Sequence, residues 1–262
     1  WIADDIKAAL DGWTSKQKLL VCEHHLSHAA SAFYPSPFQS AAIITVDGVG
    51  EWATTTIGAG NGNKLRILKQ INYPHSLGLL YSAVTYFCGF KVNSGEYKLM
   101  GLAPYGEPKY YNTILNQLIE VKDDGSFRLN LQHFAYTKDI VMTDDHFAGL
   151  FNGPRRQPES AITRREMDLA ASVQKVTEEI LIKMARTARQ ITGEKHLCLA
   201  GGVALNCVAN GKLLREKIFD GIWIQPAAGD AGGSLGCALY AYYSYFDHNR
   251  QTGSRDTQQN SY

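Results

Sequence analysis

Ala41-Ala42-Ile43-Ile44-Thr45-Val46-Asp47-Gly48-Val49-Gly50 is an apolar run closed by an Asp-Gly turn. A run with no polar alternation suits a strand buried on both faces of a sheet. Residues 52–59 alternate and read as its hairpin partner. Asn61-Gly62-Asn63 makes a second turn, and residues 65–72 read as a third strand. Upstream, residues 2–13 carry helical periodicity and stop near Gly12. Residues 18–22 read as a short apolar strand that runs into a helix over about residues 25–34. Pro35 and Pro37 end that helix.

The rest of the chain reads as α/β. Residues 76–89 form a mostly apolar helix, and 91–106 a loop dense in Gly and charge. The stretch 120–165 is mixed and reads as an insertion. Leu169, Val173, Val176, Ile180, Met184 and Ala188 recur at helical spacing within a long helix over 168–191. Two strand–Gly loop–helix units follow. The first has a strand at 196–200, Gly201-Gly202, and a helix at 207–217. The second has a strand at 221–225, Pro226-Ala227-Ala228-Gly229-Asp230-Ala231-Gly232-Gly233, and a helix at 234–243. The polar residues 249–262 read as a linker or tail.

Composition excludes several functional classes. The 262 residues carry 26 Lys and Arg against 25 Asp and Glu, a formal charge of +1. That balance gives no electrostatic footprint for nucleic acid. No apolar stretch reaches the ~18 residues of a membrane helix, so neither nucleic acid nor membrane is expected as a partner. Cys22, Cys88, Cys198, Cys207 and Cys237 form no CxxC pair. They read as reduced, buried residues of a cytoplasmic protein.

Chemistry concentrates in four places. His24 and His28 stand four apart on one face of their helix, where the two imidazoles either hold one cation or pack as core residues. His25 lies off that face and reads as structural. Asp47 ends a buried strand with Gly48 and Gly50 behind it. It either caps its turn or holds a metal, while the glycine amides face phosphate. Gly201-Gly202 lies between strand and helix. It gives either close nucleotide approach or plain tight packing. Asn206 and Asn210 either bind sugar or base edges or cap. Asp230 lies at a strand's carboxyl end, as a ligand-binding residue or as the cap of the following helix.

Together with residues 94–106 (Ser94-Gly95-Glu96-Tyr97-Lys98-Leu99-Met100-Gly101-Leu102-Ala103-Pro104-Tyr105-Gly106), these motifs resemble the NodU/CmcH/TobZ-type carbamoyltransferases over nearly the whole chain. The resemblance implies an actin-like ATPase (ASKHA, Kae1-like) α/β fold, mainly its second lobe, with the first lobe incomplete. Residues 1–38 would be the remainder of the first lobe and 39–248 the second lobe. It implies transfer of carbamoyl from carbamoyl-adenylate to a hydroxyl of a small acceptor, a sugar or natural product, beside a divalent metal of the Fe(II) type. His24, His28, Asp47 and Asp230 match the metal ligands, with His28 and Asp47 catalytic. Gly48, Gly50, Glu96, Lys98, Gly201, Gly202 and Asn206 match or lie in nucleotide-facing loops. The resemblance also implies partner segments outside this chain. These are an N-terminal strand–turn–strand with a catalytic His, and a YrdC-like domain that makes carbamoyl-adenylate from ATP and carbamoyl phosphate. The fragment alone is then expected to be inactive. Two other readings compete: an actin-like kinase or ATPase using carboxylates and Mg²⁺, and a non-catalytic nucleotide-binding module with a core His pair.

Overall fold

A computed structural model describes residues 2–10, 18–253 and 258. Its centre is a five-stranded sheet in the order β3-β2-β1-β6-β7. The strands are β1 (Ser40–Val46), β2 (Ala53–Asn61), β3 (Lys64–Asn72), β6 (His196–Ala200) and β7 (Gly221–Ile224). β2 runs antiparallel to β1 and β3, while β1, β6 and β7 are parallel. β4 (Ile119–Val121) and β5 (Phe127–Leu129) make a separate small hairpin.

The apolar run at residues 41–46 is explained by helices on both faces of β1. Ala42, Ile44 and Val46 enter a large core shared with Leu77, Leu80, Leu169 and Val173. Ala41 and Ile43 face the other way, against Ala29, Ala30 and Phe33. β2 is also covered on both faces, with Thr54 to Gly58 buried in succession, so the expected half-exposed alternation is not realised.

The histidine helix spans His24–Phe33 and covers one face. Leu77–Phe87 and the long helix Arg164–Thr192 cover the other. All six periodic apolar residues of the long helix are buried, the five larger ones each worth about 2 kcal/mol in transfer free energy and Ala188 less. That helix begins earlier than the periodicity indicates, because Thr163 and Glu166 close a capping box.

Three sequence readings are corrected. Residues 18–22 form no strand. Leu19, Leu20 and Val21 are exposed and pair with no neighbour. Residues 91–106 are not all loop. Glu96–Leu102 is a helix that buries Leu99 and Leu102, and the Glu96 carboxylate gathers the amides of Asn93 and Gly95 at its start. Residue 250 does not behave as tail. Arg250 is buried and donates to the carbonyls of Phe33, Tyr34, Ser36 and Phe38, at and just past the end of the histidine helix. The helix over 2–13 is seen as Ile2–Ala9, and its expected stop at Gly12 lies outside the described residues. The stretch 120–165 places Phe127, Phe134, Phe147 and Phe151 in the main core.

Candidate metal centre

Parallel alignment brings three strand ends together. Thr45 of β1 is in register with Ala200 of β6, and Leu199 of β6 with Ile224 of β7. The residues that follow therefore emerge at one edge: Asp47, Gly201-Gly202, and the loop carrying Asp230. Ligand sites in open α/β sheets lie at such carboxyl ends.

The histidine helix lies across this edge. His28 Nε2 is 2.8 Å from Asp47 Oδ2, and His24 Nε2 is 3.0 Å from the same oxygen. The two Nε2 atoms are 3.0 Å apart. Asp230 Oδ1 lies 3.5 Å from each. All four ligand atoms lie within 4.8 Å of one another, the only such His/Cys/Asp/Glu cluster among the described residues. Two donors about 2.1 Å from one cation and at right angles are about 3.0 Å apart, so the spacing fits a shared ion. Two imidazoles and two carboxylates form a mixed N/O donor set of the kind that holds a divalent cation. His28 is fully buried, whereas the Asp230 side chain is 80% exposed, leaving an open side.

Close helix packing seats Asp230. A Cβ on Gly236 would lie 1.8 Å from the Ser27 carbonyl oxygen, so Gly233–Leu239 touches the histidine helix backbone to backbone. Asp230 opens a 3₁₀ turn and caps no helix.

The Asp47 carboxylate is oriented on its other oxygen. Oδ1 accepts from Gly48 N–H at 2.8 Å and Gly202 N–H at 3.1 Å. These amides were expected to face phosphate, and they hold the carboxylate instead. Ser76 donates to the Asp47 carbonyl and caps Leu77–Phe87. Burial works to raise the Asp47 pKa, but hydrogen bonds to His24 and His28 outweigh it and hold the carboxyl well below its usual range. The Asp47 hydrogen bond raises His24, against the lowering expected from burial and a helix N-terminus. His25 is structural, as expected. Its Nδ1 lies 2.6 Å from Thr45 Oγ1, and burial pushes its pKa down to about 4.

A cavity of about 900 Å³ opens beside the cluster. It is bordered by Asp47, Gly48, Glu96, Gly202, Asn206 and Asp230. Gly201 stands just behind its wall at φ +90°, its amide committed to the Ala228 carbonyl. Lys98 does not reach the cavity. Two residues past Glu96 on a helix, it faces solvent. Gly50 is not at the cavity either. It packs against His24, His25 and the Ala53 carbonyl. Asn206 caps Cys207–Arg215 and forms a two-bonded amide pair with Gln174, and Asn210 bonds the Ala204 carbonyl. Asn206 therefore caps its helix, and Asn210 ties that helix to the preceding turn.

Sequence reasoning missed Glu51 and Gln174. Both Glu51 carboxylate oxygens lie at hydrogen-bond distance from the His24 amide. A Gln amid Val173 and Val176 on a buried face was the only signal for the second. Cys207 and Cys237 are exposed rather than buried as expected, and all five cysteines are free thiols.

Residues 7–239 match the family described as "Carbamoyltransferase N-terminus". The chain is 59% identical over 244 residues to an uncharacterized protein of Synechocystis sp., covering 93% of this chain and 40% of that one. It is 41% identical over 218 residues to nodulation protein NolNO of Sinorhizobium fredii, covering 82% and 30%. It is 38% identical over 216 residues to nodulation protein NolO of Bradyrhizobium diazoefficiens, covering 82% and 37%. The chain therefore spans less than half the length of each of these relatives. The crystal structure of HypF from T. kodakarensis superposes with a TM-score of 0.47 at 18% identity, covering 94% of this chain and 39% of that one. With the family match running from the first helix to the helix beside the His/Asp cluster, this chain belongs to the carbamoyltransferases, as their N-terminal region.

Proposed function

We propose that this chain forms the metal-assisted transfer site of an O-carbamoyltransferase. In this reading carbamoyl-adenylate, made from ATP and carbamoyl phosphate, delivers carbamoyl to a hydroxyl of a sugar or natural product. The observation that carries the reading is the convergence of His24, His28, Asp47 and Asp230 at the mouth of the cavity. A bound divalent cation supplies Lewis-acid polarisation of the carbamoyl carbonyl and offsets phosphate charge.

The chain's own residues do the rest. His28, packed and fully buried, fixes one donor direction. His24, one turn earlier and part exposed, borders the open side. Asp47 stays ionised at working pH and is held by two backbone amides, so its Oδ2 stays aimed at the imidazoles. Such preorganisation lowers the cost of placing the reacting groups. Val49, Leu79, Val92, Met100 and Val203 give the cavity an apolar wall that excludes water from a hydrolysable carbamoyl donor.

The actin-like ASKHA assignment is part of the same proposal. It is supported by three antiparallel strands followed by two parallel strand–loop–helix units. So is a YrdC-like domain elsewhere in the polypeptide, since the relatives are more than twice as long as the matched region. Among the described residues no helix is long and apolar enough to cross a membrane, and five free thiols support a cytoplasmic location.

Chelation of the full-length protein under anaerobic conditions should abolish acceptor carbamoylation, and Fe(II) should restore it. Full carbamoylation with Mg²⁺ alone would overturn the Fe(II) assignment, and Mg²⁺-dependent phosphoryl transfer with no carbamoylation would favour the kinase or ATPase reading. Activity that is indifferent to chelation would remove the metal from the reaction.

A further inference from the structure

We propose that Glu51 is a positioning residue for the metal centre, clamping the N-terminus of the histidine helix so that His24 stays aimed at Asp47. The inference rests on the metal reading above. His24 is the first residue of its helix, and its N–H has no acceptor within the helix. Glu23, at the cap position, makes no side-chain cap, and the first turn holds no acidic residue. Glu51 supplies both missing features. Its Oε1 and Oε2 lie 3.0 and 3.1 Å from the His24 amide nitrogen, placing a carboxylate at the positive end of the helix.

The turn that carries Glu51 also carries Asp47. Between them, Gly50 N–H donates to the Ala53 carbonyl at 3.0 Å. A Cβ at Gly50 would lie 3.0 Å from His25 Cδ2 and 3.2 Å from His24 Cβ. The turn's backbone therefore lies directly on the first helical turn. One end of residues 47–51 supplies a ligand oxygen, and the other end grips the backbone from which a ligand imidazole hangs. With both oxygens directed at the His24 amide, Glu51 acts through His24 rather than on the cation. His28, a turn further in and fully buried, does not depend on this grip. Release of Glu51 should loosen His24 selectively.

The test uses Co²⁺ and the full-length polypeptide. Affinity is read by competition with a chromophoric chelator, ligand geometry by the visible absorption of bound Co²⁺, and fold stability by thermal unfolding of the metal-free protein. E51A is expected to bind Co²⁺ about 10- to 100-fold more weakly, with an altered spectrum. E51Q keeps an acceptor oxygen but loses the charge, and is expected to weaken binding roughly two- to fivefold. Should E51A fail to fold, the comparison of E51Q with wild type decides. Wild-type affinity and spectrum in the folded variants would overturn the clamp, as would a loss of stability with no change in either. Failure of the wild-type protein to bind Co²⁺ at all would instead overturn the metal reading.

Discussion

Asp47 and Gly202, 155 positions apart in sequence, are joined by a 3.1 Å hydrogen bond from the Gly202 amide to Asp47 Oδ1. The bond ties the end of β1 to the end of its parallel neighbour β6. It leaves Oδ2 free for His24 and His28. A glycine expected to serve a nucleotide thus orients the Asp47 carboxylate.

Gly202→Ala tests that relationship. A Cβ there would lie 2.9 Å from Asp47 Oδ1, so the carboxylate or the loop must shift. The expected outcome is about tenfold weaker metal binding in a folded protein. Metal analysis beside thermal unfolding checks it. Unaltered affinity would mean that the amide does not orient Asp47.

Gly236→Val should destabilise the fold and scatter the site. The 1.8 Å approach of its Cβ position to the Ser27 carbonyl leaves no room for a side chain. Overpacking at backbone contact is expected to cost about 3 kcal/mol, read from urea unfolding. A wild-type midpoint would show that the two helices can separate freely.

Arg250→Ala should cost about 2–4 kcal/mol, because the carbonyls of Tyr34, Ser36 and Phe38 lose the guanidinium that serves them, while that of Phe33 keeps Ser36 as a donor. Denaturant unfolding measures it. A loss under about 0.5 kcal/mol, typical of a surface site, would contradict the role.

His25 sets a pH dependence of stability. Its folded pKa of about 4 lies below the ordinary 6.5. Above pH 6.5 both states are neutral and the full stability is present. As pH falls from 6.5 toward 4 the unfolded chain takes up the proton first, so stability drops by up to about 1.4 kcal/mol per pH unit. The raised His24 pKa works in the opposite sense, contributing stability below 6.5 that is lost as pH rises through its folded pKa. His25→Gln should therefore flatten the acid-side slope in chelator-treated protein. An unchanged slope would assign the proton uptake to another group.

The clustered residues of the candidate metal centre were legible because their signals are local. His24 and His28 share a helix face by spacing alone, and Asp47 and Asp230 follow strands inside glycine-rich turns. What escaped the sequence depends on distant partners. Gln174 meets Asn206 across 32 positions, and Arg250 meets carbonyls more than 200 positions away. Residues 18–22 carry the apolar composition of a strand yet find no partner strand. Glu96–Leu102 is disguised by its glycines, since only tertiary burial of Leu99 and Leu102 reveals a helix. Gly50 lies in the Asp47 turn and Lys98 on the helix that opens with Glu96. Register along a turn and position around a helix take them away from the cavity.

The most direct measurement separates two half-reactions in the full-length protein carrying His28→Ala. With ATP and carbamoyl phosphate supplied, pyrophosphate release and acceptor carbamoylation are followed in parallel. Adenylate formation, which the proposal assigns to a separate YrdC-like domain, should continue near the wild-type rate. Transfer should fall by at least about 100-fold, since His28 is a fully buried ligand that no solvent group can replace. Transfer at the wild-type rate would contradict the metal-assisted site and leave His28 as a packed core histidine.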